Sequence, residues 1–253
     1  MLFSGDAAAS VVAALVGPNI LGKRPPLGQN GRTVGAWATN YKSRVLPDFL
    51  SVVDDPTIAT IHGGALFGDY KVDDEGVPAI RVSLVEKGQL LNYLLGREPI
   101  RDLPASNGHA SAAAATAPSP TIGNLIVQSS DPLSDDQLKQ RLIEMCKRRD
   151  LPYGYLVETL APRLTPRLLY RVSAKDGHQE LVSGAVFGDL DVRALRNSIV
   201  AAGKEPTVEN HLEPVPHSIA SPALLLDELE IKRANTRKQK LPEYPPPAVT
   251  ASK

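Results

Sequence analysis

The chain has 253 residues, 42% of them hydrophobic, enough for one large domain or two small ones with a substantial buried core. Its 28 basic and 28 acidic residues balance, so no charge excess draws the whole chain onto nucleic acid or an anionic membrane. A single cysteine, Cys146, excludes an intramolecular disulfide and any Cys-rich metal cluster.

From the N-terminus, Met1 to Val16 is apolar but contains Asp6 and has no Lys or Arg before Lys23, which argues against a secretory signal. No apolar run reaches the ~20 residues of a membrane span, so a soluble, cytoplasmic protein is expected. Asp6 can cap an Ala-rich helix over Ala7 to Val16, and Gly17-Pro18 is a helix stop. Residues 17–47 read as irregular, broken by repeated Gly and Pro. Apolar density returns at Leu46 to Val53, and Asp54-Asp55-Pro56 marks a turn.

β-structure is expected from Thr57, around the Gly63-Gly64 break, with a tight turn at Asp73-Asp74-Glu75-Gly76. The firmest hairpin is Ala79 to Val85 returning through Glu86-Lys87-Gly88 into Gln89 to Leu95. Ala105 to Pro120 is low in complexity and reads as an exposed loop, and Thr121 to Gln128 as a buried strand. Ser134 and Gln137 form a capping box for a helix from about Asp135 to Arg149, whose apolar face carries Leu138, Leu142, Met145 and Cys146.

Arg167 to Ser173 and Glu180 to Ser183 flank a two-residue hairpin turn at Asp176-Gly177. Asp189 or Asp191 can cap a helix through Ala202, with Gly203 at the C′ position. A last strand is expected over roughly Ala223 to Ile231. The division that follows is one domain over 1–233 and a Pro-rich, disordered tail over 234–253.

Several ordered segments carry a resemblance. Leu46-Pro47-Asp48-Phe49-Leu50-Ser51-Val52-Val53-Asp54-Asp55-Pro56, Asp73-Asp74-Glu75-Gly76-Val77-Pro78, Ser106-Asn107-Gly108-His109 and Gly123-Asn124-Leu125-Ile126-Val127 come first. Leu181-Val182-Ser183-Gly184, Ala194-Leu195-Arg196 and Ser221-Pro222-Ala223-Leu224-Leu225 follow. Together, over about residues 3–231, they resemble the C-terminal half of the TldD/PmbA family, the modulators of DNA gyrase, and look closer to the TldD side. The resemblance implies a bacterial zinc metallopeptidase that trims peptides, including leader segments of antibacterial peptides and unfolded antitoxins. It implies an α+β, β-rich antiparallel C-terminal domain holding zinc through a His-Glu-x-x-x-His segment and a downstream Cys. It also implies assemblies that pair a metal-bearing subunit with one lacking the signature. Because the match begins where the family's second half is under way, either a lost N-terminal domain or a truncated start is open.

The chain departs from that pattern where the chemistry should lie. The signature reads Ala13-Ala14-Leu15-Val16-Gly17-Pro18, so Ala13, Ala14 and Pro18 are degenerate metal-site positions with no lone-pair donor. The region expected to hold the Cys ligand runs from Asn210 to His217 without one. His211, Glu213 and His217 are the remaining candidate metal ligands, although Pro214 and Pro216 stiffen the segment and surface-loop residues are the plainer reading. Ser106, Asn107, Gly108 and His109 are candidate peptide-binding residues, the alternative being an exposed Asn-Gly turn. Asp73, Asp74 and Glu75 read as a solvated turn.

The expectation is a metallopeptidase-like protein without catalytic residues or cofactor, where the family uses zinc. It binds peptide or unfolded polypeptide, or forms a homo- or hetero-oligomer with a TldD/PmbA-type subunit, and binds neither nucleic acid nor membrane. The alternative is an active peptidase with non-standard or partner-supplied ligands.

Overall fold

The computed structural model describes residues 1–234, and the tail expected over 234–253 lies, apart from Ala234, outside the described residues. β1 (Leu2–Phe3) leads into α1 (Gly5–Leu15). The helix starts earlier than expected because Ser4 is its cap, its side chain accepting from the Ala7 N–H. Asp6 falls instead in the first turn, where a negative charge favours the helix dipole. Gly17-Pro18 ends the helix, followed by a single 3₁₀ turn at Gly17–Asn19.

The next thirty residues lack regular structure, yet they are stapled down. Leu21 bridges Leu94, the Asn19 amide accepts from Ala36 N–H at 2.6 Å, and the Tyr93 hydroxyl donates to the Trp37 carbonyl at 2.8 Å. β2 (Leu50–Asp54) then enters the core, followed by the small hairpin of β3 (Thr60–Ile61) and β4 (Gly64–Ala65). The firmest expected hairpin is present as β5 (Val82–Glu86) and β6 (Gln89–Leu90), shorter because Leu94 pairs with Leu21 instead. Lys87 and Gly88 both have positive φ, 46° and 75°, as a two-residue turn between twisted strands requires.

Ala105 to Pro120 is not the exposed loop its composition suggested. β7 (Ala110–Ser111) pairs with β8 (Ser119–Pro120), and His109 and Ala110 are fully buried. β9 (Asn124–Ser129) and β10 (Pro132–Leu133) precede α2 (Asp135–Arg148). The Ser134/Gln137 capping box is formed in both directions, and Leu138, Leu142, Met145 and Cys146 are the buried face.

β11 (Tyr153–Ala161), which the sequence reading did not anticipate, pairs with β12 (Thr165–Ser173), and β12 with β13 (Gln179–Val182). The β12–β13 connection is a four-residue loop over 174–177 rather than a two-residue turn, since Ser173 N–H already bonds the His178 carbonyl. After β14 (Ala185–Phe187), α3 (Val192–Asn197) is capped by Asp191 but stops well short of Ala202. Ile199 and Val200 open β15 (Ile199–Gly203), where β-branching and sheet pairing override the helical pattern. β16 (Thr207–His211) and β17 (His217–Ser221) form a further hairpin, and the expected last strand is divided into β18 (Leu224–Leu226) and β19 (Ile231–Arg233).

Two sheets result, with strand orders β10-β15-β18-β1-β11-β12-β13 and β16-β17-β9-β2-β5-β6, beside the pairs β3–β4, β7–β8 and β14–β19. Pairing is mostly antiparallel, with parallel contacts of β1 with β11, β10 with β15 and β17 with β9. The protein is therefore a sheet-rich α+β fold. α1 lies between the two sheets, against β11 on one side and β16 and β17 on the other. Its buried Ala7, Ala8 and Ala9 allow that close approach on both sides. α2 covers the outer face of the larger sheet, packing Leu138, Leu142 and Cys146 on Leu156, Val172 and Leu225. Gly154 makes room for it, since a Cβ there would stand 2.8 Å from Leu142 Cδ1 and 2.9 Å from Cys146 Sγ. On the far side of the smaller sheet, Ile58 and Ile61 pack on Val53 and Ile126.

Candidate functional site

The C-terminal turn of α1 meets the β16–β17 hairpin. At the start of the helix Gly5 lies so close to Thr207 that a Cβ would overlap its side chain, and five residues on, Ser10 Oγ donates to Glu209 Oε2 at 3.1 Å. Helix and strand thus advance together. A rise of about 1.5 Å per helical residue against about 3.4 Å per strand residue brings His211 alongside the last turn, which carries Ala13 and Ala14. The helix that carries Ala13 and Ala14 and the hairpin that carries His211 and His217, far apart in sequence, are therefore packed together.

Ala13 is half-buried, while Ala14 and Pro18 are exposed, the latter on the 3₁₀ turn beyond the helix end. A zinc ion needs three or four donors among His, Cys, Asp and Glu, and these positions supply none. Among the described residues no group of three or more such side chains is placed to hold a metal ion. The residues present do not fit the zinc centre that the resemblance implies.

His211 and His217 are not loop residues, as the plainer reading had them. They are cross-strand partners at the end of the β16–β17 ladder, their rings stacked with centroids 4.7 Å apart and planes at 13°. His217 Nδ1 lies 2.8 Å from the Val215 carbonyl, so this nitrogen carries the hydrogen and Nε2 the lone pair. His211 Nε2 is buried without a hydrogen bond, and Glu209 Oε1 is 3.6 Å away. Burial holds the His217 imidazole below its ordinary range, helped by His211 and opposed by the Val215 carbonyl and the Asp54 and Glu209 carboxylates. Glu213, in the connection, is exposed and precedes a cis proline, and takes no place beside the two rings in this ladder.

The Ser106 to His109 segment is turned inward. Asn107 Oδ1 accepts from Leu95 N–H at 2.8 Å and its amide donates to the Tyr93 carbonyl at 2.8 Å. Ser106 Oγ donates to the Leu95 carbonyl, and a Cβ on Gly108 would press into the Pro78 carbonyl. His109 is wholly buried, with Nδ1 2.9 Å from the Asn107 carbonyl and Nε2 3.2 Å from Asp54 Oδ1. Each ring nitrogen of His109 thus faces an oxygen, one from the backbone and one from a carboxylate. Asp54 also accepts from the Gly123 and Asn124 N–H groups.

Sequence reasoning missed this role for Asp54 by treating it as part of a turn. The available signal was the apolar, β-branched density of Leu50, Val52 and Val53, which carries the strand up to the next residue, so Asp54 still lies inside the sheet. Asp73 likewise is buried rather than solvated. Its carboxylate collects the N–H groups of Glu75, Val77 and Ala110 at 3.0, 2.8 and 3.1 Å, while Asp74 holds Ala112 N–H at 2.7 Å. These carboxylates tie three loops together, with no acid/base pair among them. No helix in the described residues is long and apolar enough to cross a membrane.

Comparison with known proteins bears on the family and the fold. The family model described as PmbA/TldA metallopeptidase C-terminal domain matches residues 1–233. Over 89 residues the chain is 35% identical to Metalloprotease MJ0996 of Methanocaldococcus jannaschii, a match covering 35% of this chain and 19% of that protein. Its fold is similar to that of TldE from Thermococcus kodakarensis, with TM-score 0.64 and 16% identity. It is also similar to a protein described as a modulator of a DNA gyrase from Thermotoga maritima, with TM-score 0.65 and 16% identity. Both cover 91% of this chain and 49% of the other, so the chain spans about half the length of these solved structures.

Proposed function

The chain belongs to the PmbA/TldA metallopeptidase family, and from that premise we propose that it is a non-catalytic member that binds peptide or unfolded polypeptide and pairs with a metal-bearing sister subunit. The observation that carries the reading is chemical: methyl groups and a pyrrolidine ring stand at 13, 14 and 18, and the hairpin packed against α1 offers two imidazoles and no cysteine. Metal-assisted hydrolysis draws its rate from a polarised, ion-bound water, and no packing elsewhere substitutes for the missing donors.

The test is metal analysis of the purified chain after zinc loading, together with a peptide-cleavage assay with and without chelator. Substoichiometric zinc and no chelator-sensitive cleavage are expected, with a complex on size exclusion when a signature-bearing family subunit is added. Stoichiometric zinc with chelator-sensitive cleavage would overturn the reading. A second reading, an active peptidase using His211 and His217 with ligands from a partner, is favoured by the facing rings at 4.7 Å. It requires that the mixed complex take up more zinc than the sister subunit alone, and that His211→Ala or His217→Ala remove that excess.

A further inference from the structure

Between Gly17 and Pro47 the chain carries Lys23, Arg24, Arg32, Lys42 and Arg44 and no Asp or Glu, in a protein whose overall charge is balanced. A stretch this long and one-signed has to be held in place by something other than ion pairs within itself. Gly22 N–H bonds the Leu94 carbonyl at 2.8 Å, and the Thr33 hydroxyl accepts from Lys23 N–H at 2.9 Å while donating to the Leu21 carbonyl at 2.6 Å. Arg32 is the external pin. Its guanidinium lies 4.5 Å from the Tyr41 ring centroid and meets Asp102 through Nε at 2.9 Å and a second nitrogen at 2.6 Å. Asp102 sits in a turn closed by reciprocal bonds between Ile100 and Leu103.

The two loops so joined border an open surface cavity of about 510 Å³, lined by Arg24, Arg32 and Arg101 together with Pro25, Leu27 and Pro99. No carboxylate is among the residues lining the cavity, and Asp102, next to the lining Arg101, is committed to Arg32. Arg101 approaches Asp102 only to 3.9 Å, and Arg24 makes no ion pair among the described residues. Leu27 is 97% exposed at the mouth.

We propose that this cavity docks an acidic segment of polypeptide, its carboxylates on Arg24 and Arg101 and an apolar side chain on Leu27. The inference rests on the reading that the chain binds polypeptide and says where and with what preference. Planar guanidinium forks match carboxylates in two-point contact. The site is open to solvent, so any single pair is screened and weak; a segment bringing several carboxylates and an apolar anchor gathers contacts that a small free anion cannot.

The experiment is fluorescence anisotropy on the full chain with a labelled hexapeptide of alternating Glu and Leu, beside counterparts with Gln or Lys in place of Glu. The Glu peptide is expected to bind about tenfold more tightly than the Gln peptide, and the preference to shrink between about 50 and about 200 mM salt. Arg24→Gln with Arg101→Gln should bring the Glu peptide down to the Gln value while the thermal midpoint stays in place. Equal binding of Glu and Gln peptides, or a preference that survives the double variant, overturns this site and leaves polypeptide binding elsewhere intact. Pyrophosphate binding without any peptide discrimination overturns it in favour of a small-anion site. Failure of all three peptides, with no complex formed by the sister subunit, overturns this inference and the proposed function together.

Discussion

His109 Nε2 lies 3.2 Å from Asp54 Oδ1, with both side chains entirely out of solvent and 55 residues apart in sequence. The pair joins the loop that follows β6 to the end of β2, and the same carboxylate oxygen takes the Asn124 N–H at the start of β9. One buried polar contact therefore fixes three segments.

Breaking that pair leaves an uncompensated buried group, so His109→Ala and Asp54→Ala should each cost about 3–5 kcal/mol of folding stability. The double substitution should cost less than the two losses added. Urea denaturation of the three variants checks this, and additive losses would show that the two groups do not interact.

Asp73→Ala removes the acceptor for three backbone N–H groups and should destabilise by about 3 kcal/mol. Because those groups lie in the 75–77 turn and at Ala110, amide exchange should rise at both places. Protection unchanged at Ala110 would detach the two loops from this carboxylate.

Stability should fall in mild acid through His217. Its folded-state ring is held below the ordinary value of 6.5, chiefly by burial, so both states are neutral above that pH and the contribution is full. As the pH drops below about 6.5 the unfolded chain takes up the proton first, and stability declines until the lowered folded value is passed. His217→Phe should flatten the pH dependence of the denaturation midpoint between about pH 7 and pH 5. A slope the same in both proteins would assign the effect elsewhere.

Burial also pushes the Cys146 thiol up from its usual range. A disulfide reagent at neutral pH should react slowly with the folded protein and fast once denaturant is added. Rapid labelling of the native chain would contradict the packing of α2 against Gly154.

Ser134→Ala removes one half of a complete capping box and should cost about 1 kcal/mol, read as a lower thermal midpoint with little change in amide exchange outside α2.

What could be read from the residues was what is local. The Ser134/Gln137 box, the Lys87-Gly88 turn and the stop at Gly17-Pro18 depend on neighbours within four positions, and all three stand where expected. Errors arose where distant partners decide. Ile199 to Gly203 continues a capped helical pattern but is pulled into the sheet by β18, and Ala105 to Pro120 reads as an exposed loop yet includes the buried His109 that meets Asp54. At the candidate site, the absence of donors at 13, 14 and 18 was plain from the sequence. That His211 and His217 stack in the hairpin packed against α1 was not, because it depends on how β16 runs along α1.

β1 is a strand of two residues with neighbours near positions 156 and 225, one parallel and one antiparallel. Its parallel neighbour β11 follows it only past position 150 and its antiparallel neighbour β18 only past position 220, so the second flank exists only once nearly all of the described chain is present. Completing the larger sheet therefore requires an early segment to seat between two later ones, and α1, tethered directly behind it, takes its place only in company with those distant contacts.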